Sequence, residues 1–183
     1  MRVIAGTAKG RTLLVPRGGG TRSATDRIRE TLFGILTPDL PGSVVLDLFA
    51  GAGTLGIEAL SRGAARATFV ERAPGAVAVL RRNVEHAGFA DRATIVRADV
   101  LAFVGGPNAP ADADLCFCDP PFADVAALSA VLVKVAAPGR LVVARILRKH
   151  PPAIPATLAV ARTREVGEEA LLFLRYDAGA AGG

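Results

Sequence analysis

The chain is poor in the residues and runs that would staple, anchor or export a protein. Its two cysteines, Cys116 and Cys118, stand two apart. That is neither a disulfide framework nor the four-ligand pattern of a zinc site, so no metal is expected. No apolar run approaches the ~20 residues that span a bilayer, which leaves no membrane partner to expect. The first residues, Met1-Arg2-Val3-Ile4-Ala5-Gly6, carry one charged side chain and no adequate apolar core for a signal peptide. Cytoplasmic residence is the default expectation. There is no internal repeat.

What the chain does contain is a core and a basic balance. It has 183 residues, 51% of them apolar and 21% charged. A chain of that size and composition folds most simply around one core, burying roughly two-thirds of its unfolded surface. The net charge is +5 and the pI about 10.0, which suits a polyanionic partner. Before residue 38 stand seven basic residues (Arg2, Lys9, Arg11, Arg17, Arg22, Arg27, Arg29) against two acids, Asp26 and Glu30. Glycines and hydroxyl side chains among them add phosphate-binding options without a base code.

The order of elements follows from hydrophobic period and punctuation. Residues 2–16 read as a hairpin, and Pro16-Arg17-Gly18-Gly19-Gly20 as a mobile loop. A helix from Ser23 or Thr25 runs to Leu36, with Ile28, Leu32, Ile35 and Leu36 at helical spacing. Arg27 and Arg29 fall off that stripe, and Pro38 with Pro41-Gly42 closes a 1–40 extension. From residue 43 strands and helices alternate: strands at 43–48, 66–70, 93–97, 114–118 and 140–147, and helices at 73–87 and 124–136. Alternation of this kind predicts a doubly wound α/β sheet, mostly parallel. Segments 157–163 and 170–176 read as an antiparallel hairpin that closes a 41–177 domain, and 178–183 as a disordered tail.

The centre of the chain is Val44-Val45-Leu46-Asp47-Leu48-Phe49-Ala50-Gly51-Ala52-Gly53-Thr54-Leu55-Gly56. A β-branched apolar run ends in an acid, then a Gly-x-Gly-x-x-Gly turn opens a helix, the setting of a nucleotide fingerprint. Glu71 closes the next apolar run at the distance that suits ribose hydroxyls. Asp47 lies four residues before Gly51. A carboxylate there is a poor neighbour for pyrophosphate and suits a cationic ligand instead, such as the ammonium of a methionine moiety. In this the chain resembles the class I S-adenosyl-L-methionine-dependent methyltransferases. The resemblance implies a cofactor site of Asp47, Phe49, Gly51, Gly53, Gly56, Glu71, Asp99 and Val100, with Glu71 on the ribose and Asp99 on the adenine amino group.

A second motif, Asp119-Pro120-Pro121-Phe122, ends a later strand. Two prolines forbid a direct passage into helix and make a rigid turn at the ligand-binding edge. The motif resembles the (Asp/Asn/Ser)-Pro-Pro-(Tyr/Phe/Trp) turn of amino-methyltransferases. An exocyclic amino group is a poor nucleophile, because its lone pair is delocalised into the ring. The Asp119 carboxylate and the Pro120 carbonyl would accept its two N–H groups, and Phe122 would offer a face for the base to stack on. Cys118 raises the rival of cytosine C5 methylation through a thiolate. A cysteine preceding the acid, paired with Cys116 on one strand face, fits a buried packing role better.

Nearly the whole chain resembles the RsmD-type 16S ribosomal RNA guanine-N2 methyltransferases. The resemblance rests on Met1 to Gly6, Gly10-Arg11, Arg22, Thr25 to Phe33, Asp47 to Gly56, Glu58 to Ala64, Phe69-Val70-Glu71 and Asp119 to Phe122. It implies methylation of a guanine amino group in 16S rRNA, presented by an assembling 30S subunit, with Lys9, Arg11, Arg22, Arg27 and Arg29 on the RNA. The chain departs from the family at Arg22-Ser23-Ala24-Thr25, where Arg-Pro-Thr is usual. It departs again at Val142-Val143-Ala144-Arg145, where an acid often stands. Two other readings share the motifs. One is a DNA base methyltransferase, against which stands the lack of a large target-recognition insert. The other is a non-catalytic RNA-binding or assembly module, against which stands the intact set of Asp47, Glu71, Asp99 and Asp119.

Overall fold

The structure is a computed structural model, and it describes residues 1–15, 26–121 and 124–181. Seven strands form one sheet: β1 (Val44–Leu48), β2 (Arg66–Glu71), β3 (Ala93–Arg97), β4 (Leu115–Cys118), β5 (Leu141–Leu147), β6 (Leu158–Val166) and β7 (Glu169–Tyr176). Their order is β3-β2-β1-β4-β5-β7-β6. The first five strands pair in parallel, while β7 runs antiparallel to both β5 and β6. The doubly wound expectation holds. Strand order reverses between β1 and β4, so a crevice opens past their carboxyl ends, where such sheets take ligands.

Among the described residues, five α-helices cover the sheet: α1 (Asp26–Leu36), α2 (Thr54–Ser61), α3 (Pro74–Ala87), α4 (Val100–Val104) and α5 (Val125–Val135). Strand alternation sorts the core into two layers. On one face Val45, Phe69, Phe117, Val143 and Phe173 meet α1, α2 and α3, and on the other Leu46, Leu48, Cys116, Cys118 and Val142 meet α4 and α5. Phe33 of α1 packs edge-to-face on Phe117, with ring centroids 5.9 Å apart. Truncating such a buried ring costs about 3–5 kcal/mol. α3 starts on Pro74 and ends at Gly88, which takes the left-handed conformation that stops a helix cleanly.

Residues 1–15 share this core. A single antiparallel bridge joins Arg2 to Thr12, and Val3, Ala8 and Leu13 are buried. The buried carboxylate of Glu58 in α2 accepts the backbone N–H groups of Ile4 (2.8 Å) and Ala5 (3.0 Å). Ser61 accepts the Ala8 N–H on its Oγ at 2.9 Å. A Cβ at Gly6 would lie 1.8 Å from the Ser61 carbonyl oxygen, so only glycine fits this contact. The boundary expected near Pro41-Gly42 is therefore a change of element rather than a break in the core.

Two local expectations differ from the structure. The C-terminal hairpin keeps its ladder to the pair Val166↔Glu169, so its connection is Gly167-Glu168 alone, shorter than the gap between segments 157–163 and 170–176. Gly167 at φ 64° permits that tight turn. The tail carries a short 3-10 turn at Ala178–Ala181. The proposed start of α1 at Ser23 or Thr25 and the mobile loop at Pro16 to Gly20 lie outside the described residues. Among the described residues, no helix is long and apolar enough to cross a membrane.

Candidate functional site

The site forms where β1 and β4 end side by side, with Leu48 paired to Cys118. Asp47 is only 2% exposed and points to the α2 face of the sheet. Its Oδ2 accepts the Gly56 N–H at 2.9 Å. Burial pushes the carboxyl up from 3.8 to about 7, opposed by the Gly56 hydrogen bond and assisted by the nearby charges of Asp119 and Glu71. The glycines make this approach possible. A Cβ at Gly56 would lie 2.3 Å from the Phe69 ring and 3.0 Å from Asp47 Oδ2. Gly53 has φ +80°, and a Cβ there would meet Leu80 at 2.3 Å. Phe49 also takes positive φ (61°), a strained conformation for a ring-bearing residue, of the kind that collects at ligand sites.

Glu71, at the end of β2, is held on two sides. Its Oε2 accepts the Gly51 N–H at 2.9 Å and its Oε1 the Ala73 N–H at 2.8 Å. Each oxygen keeps a further lone pair, so the carboxylate is oriented yet able to accept from a hydroxyl. Asp99 is exposed and caps α4, accepting from Leu101 (2.9 Å) and Ala102 (3.2 Å), both through Oδ1. Val100 behind it is buried. Asn83 of α3, itself buried, braces the glycine turn. It donates to the Ala52 carbonyl at 2.9 Å and pairs with both backbone groups of Leu14.

Asp119 closes β4 beside Asp47. Its Oδ1 accepts from Arg145 Nε at 2.6 Å. Arg145 Nη1 lies 3.3 Å from Glu169 Oε2, so the guanidinium is held between two acids. Side-chain exposures are 15% for Asp119, 7% for Arg145 and 17% for Glu169. Burial raises the Asp119 carboxyl above its usual value and Glu169 adds to this, while Arg145 opposes it through charge and hydrogen bond. Asp119 and Arg145 line a pocket whose other walls are mainly apolar, among them Ile28, Leu32, Leu55, Phe117 and Leu171. Pro120 is buried, and the Pro121 carbonyl accepts the Asp124 N–H at 2.8 Å, which fixes the turn into α5. Phe122 lies outside the described residues.

Cys118 is fully buried on the opposite face, its Sγ 3.9 Å from that of Cys116. The contact with Cys116, burial and nearby acids all push its thiol well above the ordinary range, which suits a packed residue and not a thiolate nucleophile.

The expected cationic surface is only partly there. Lys9, Arg11 and Arg27 are exposed. Arg11 also donates to the His86 carbonyl at 2.5 Å, at the negative end of α3. Arg22 lies outside the described residues. Arg29 is a correction: it is 0% exposed and works inside the fold. Its Nη2 donates to the Arg2 carbonyl (2.8 Å) and to Asp26 (2.7 Å), and its Nη1 lies 3.8 Å from buried Glu58. Arg29 is four residues before Phe33 and seven before Leu36, so it shares their buried stripe. Arg145 and Glu169 are the site residues that sequence reasoning missed. The one available signal was an arginine where related chains often carry an acid.

Comparison with known proteins places these features in company. A family model described as "Conserved hypothetical protein 95" matches residues 1–175. Over 122 residues the chain is 41% identical to the ribosomal RNA small subunit methyltransferase D of Escherichia coli, covering 67% of this chain and 60% of that protein. The match thus spans less than two thirds of that relative's length. The solved structure of an Escherichia coli candidate methyltransferase, yhhF, superposes with a TM-score of 0.83 at 33% identity, covering 97% of this chain and 98% of that one. An RNA methyltransferase from Salinibacter ruber, solved with S-adenosyl-L-homocysteine, has a TM-score of 0.64 at 19% identity. It covers 85% of this chain and 93% of that one, a likeness of fold.

Proposed function

The chain belongs to the Conserved hypothetical protein 95 family, and on that premise we propose that it moves the methyl group of S-adenosyl-L-methionine to an exocyclic amino group of a base in ribosomal RNA. The observation that carries this reading is the pair of buried acids at the sheet's switch point. Asp47 lies under a glycine turn and Asp119 in a neighbouring pocket, and the charge of Asp119 adds to the cost of ionising Asp47. A ligand that brings positive charge between them relieves that cost. The residues present fit such a ligand: the unneutralised Asp47 suits an ammonium, oriented Glu71 suits ribose hydroxyls, and the lack of a Cβ at Gly53 and Gly56 lets the turn close onto Leu80, Phe69 and Asp47.

When bound, S-adenosyl-L-methionine supplies an electrophilic methyl on a sulfonium. The chain's own task is positioning. Asp119 and the Pro120 carbonyl accept the two N–H bonds of the amino group, which turns its lone pair toward the methyl. Methyl transfer to that lone pair would leave the amino group with a surplus proton, which the Asp119 carboxylate would take up.

The finer assignment is the N2 of a guanine in 16S rRNA within an assembling 30S subunit, supported by the likeness to the methyltransferase D proteins. Lys9, Arg11, Arg22 and Arg27 grip the flanking backbone, while the base leaves its stack to reach Asp119. The test is transfer of a labelled methyl from S-adenosyl-L-methionine to 30S particles, naked rRNA and duplex DNA, with the modified nucleoside identified. N2-methylguanosine from 30S particles is the expected product. Label in duplex DNA alone returns the DNA-methyltransferase reading, and no label in any arm leaves a binding module.

A further inference from the structure

The Asp119 carboxylate reaches the pocket with one of its two oxygens already taken. Arg145 Nε contacts Oδ1 at 2.6 Å in a single hydrogen bond, and the other side of the guanidinium faces Glu169 at 3.3 Å. The register of the sheet builds this arrangement. Cys118, just before Asp119, pairs with Ala144, just before Arg145, and Arg145 pairs with Leu171, two residues into β7 from Glu169. Three adjacent strands thus deliver acid, base and acid to one row.

We propose that Arg145 is a positioning residue for methyl transfer: pinned by Glu169, it occupies Oδ1 of Asp119 and thereby presents Oδ2 to the amino group of the target base. This rests on the role given to Asp119 above. The terminal torsion of an aspartate is broad, so an unpinned carboxylate samples many planes. A guanidinium held from both ends narrows them, and its single contact leaves one oxygen for substrate. Charge matters as much as orientation. Among the described residues, the groups around Asp119 are Asp47 on β1, Arg145 on β5, Glu169 on β7 and the Cys118 thiol on its own strand, while α1 and α2 offer only apolar side chains to the pocket. Arg145 is the one cation of that set, and a protonated Asp119 could not take up the proton that the amino group loses in the transfer.

The sign follows for each partner. Removing Arg145 removes what favours the carboxylate, so Asp119 titrates higher; removing the charge of Glu169 removes repulsion, so Asp119 titrates lower. The experiment is carbon-13 NMR titration of the Asp119 carboxyl in wild type, Arg145→Gln, Arg145→Lys and Glu169→Gln. It runs beside kcat, KM and S-adenosyl-L-homocysteine affinity on the particle that the wild type methylates. Arg145→Gln should move the Asp119 titration and the acid limb of kcat to higher pH. It should cut kcat by roughly 10- to 100-fold, the scale of one charged hydrogen bond removed at the reacting group, with cofactor affinity within about twofold. Arg145→Lys should restore the titration but only part of kcat, and Glu169→Gln should move the titration the opposite way. A folded Arg145→Gln with unmoved titration and wild-type kcat overturns the proposal, as does a rise in KM alone, which would make Arg145 an RNA-binding residue. Asp119→Ala separates the two readings. If it turns over at the wild-type rate, the role of Asp119 itself is wrong; if it is inactive while Arg145→Gln is normal, only the positioning role is lost.

Discussion

Asp47 and Asp119 end neighbouring strands of one sheet, both are shielded from water, and both are pushed above the usual carboxylate range, yet their companions differ. Asp119 has a cation built into the fold, 2.6 Å away. Among the described residues, Asp47 has only the Gly56 N–H, a dipole against a full buried charge. The difference separates two tasks. A residue that must hold its charge throughout a reaction cycle carries its own counter-ion. A residue that waits for a cationic ligand is left incomplete, and the ligand completes it.

The sharpest way to break the comparison is to remove each acid in turn. Asp119→Ala should lower turnover by about 10²–10⁴-fold, the range for a group that handles the transferred proton, while cofactor affinity measured by calorimetry changes far less. Cys118→Ser should keep its activity, and a dead, folded Cys118→Ser protein with a trapped adduct in wild type would revive the C5 mechanism. Asp47→Asn should reverse the split, with cofactor affinity lost first.

The pH dependence sharpens the same contrast. Asp47 titrates near 7 in the folded chain and near 3.8 when unfolded, so between those values the folded state binds more protons. Its contribution to stability is fully present below about 3.8 and is lost as pH rises to about 7. Affinity for a cationic ligand runs the other way, rising as Asp47 deprotonates. Thermal melts and calorimetry from pH 5 to 8 should show both slopes in wild type and neither contribution in Asp47→Asn.

Smaller effects lie further from the two acids. Glu71→Ala should weaken cofactor binding by roughly 1–3 kcal/mol, one charge-assisted hydrogen bond. Unchanged calorimetric affinity in that variant, or equal affinity for NAD in wild type, would count against the S-adenosyl-L-methionine assignment. Lys9→Ala and Arg27→Ala should each flatten the salt dependence of RNA binding by about one unit of log–log slope, one phosphate being left unneutralised in each case, with little change in methyl transfer at low salt. An unchanged slope removes that residue from the interface.

Much of the fold was legible because its signals are local. The apolar runs at 44–48, 66–71 and 141–147 end at charged or turn residues, and the helices between them begin and end on Pro74, Gly88 and Asp124, whose chemistry is readable one residue at a time. Asp47, Glu71 and Asp119 were legible for the same reason: each closes a strand, and in a parallel sheet strand ends share an edge. What misled was also local. The glycine and proline punctuation before residue 43 looks like a soft boundary, yet Glu58 and Ser61 bind the backbone of Ile4, Ala5 and Ala8 from more than 50 positions away. Deleting the arm should therefore cost stability as well as RNA affinity. Arg29 looked like surface charge because its partners Glu58 and the Arg2 carbonyl are distant in sequence, and only Asp26 is near.

By itself the sequence determined the alternation of strand and helix, the glycine turn and the acids at strand ends, because hydrophobic period and backbone restriction act over a few residues. Tertiary structure decided which charges are paired. Arg145, 26 residues beyond Asp119, meets it only because β4 and β5 lie side by side, and Glu169 meets Arg145 only because β7 returns antiparallel. The energy of a buried charge depends on neighbours within a few ångströms, and those neighbours are fixed by strand register rather than by proximity along the chain.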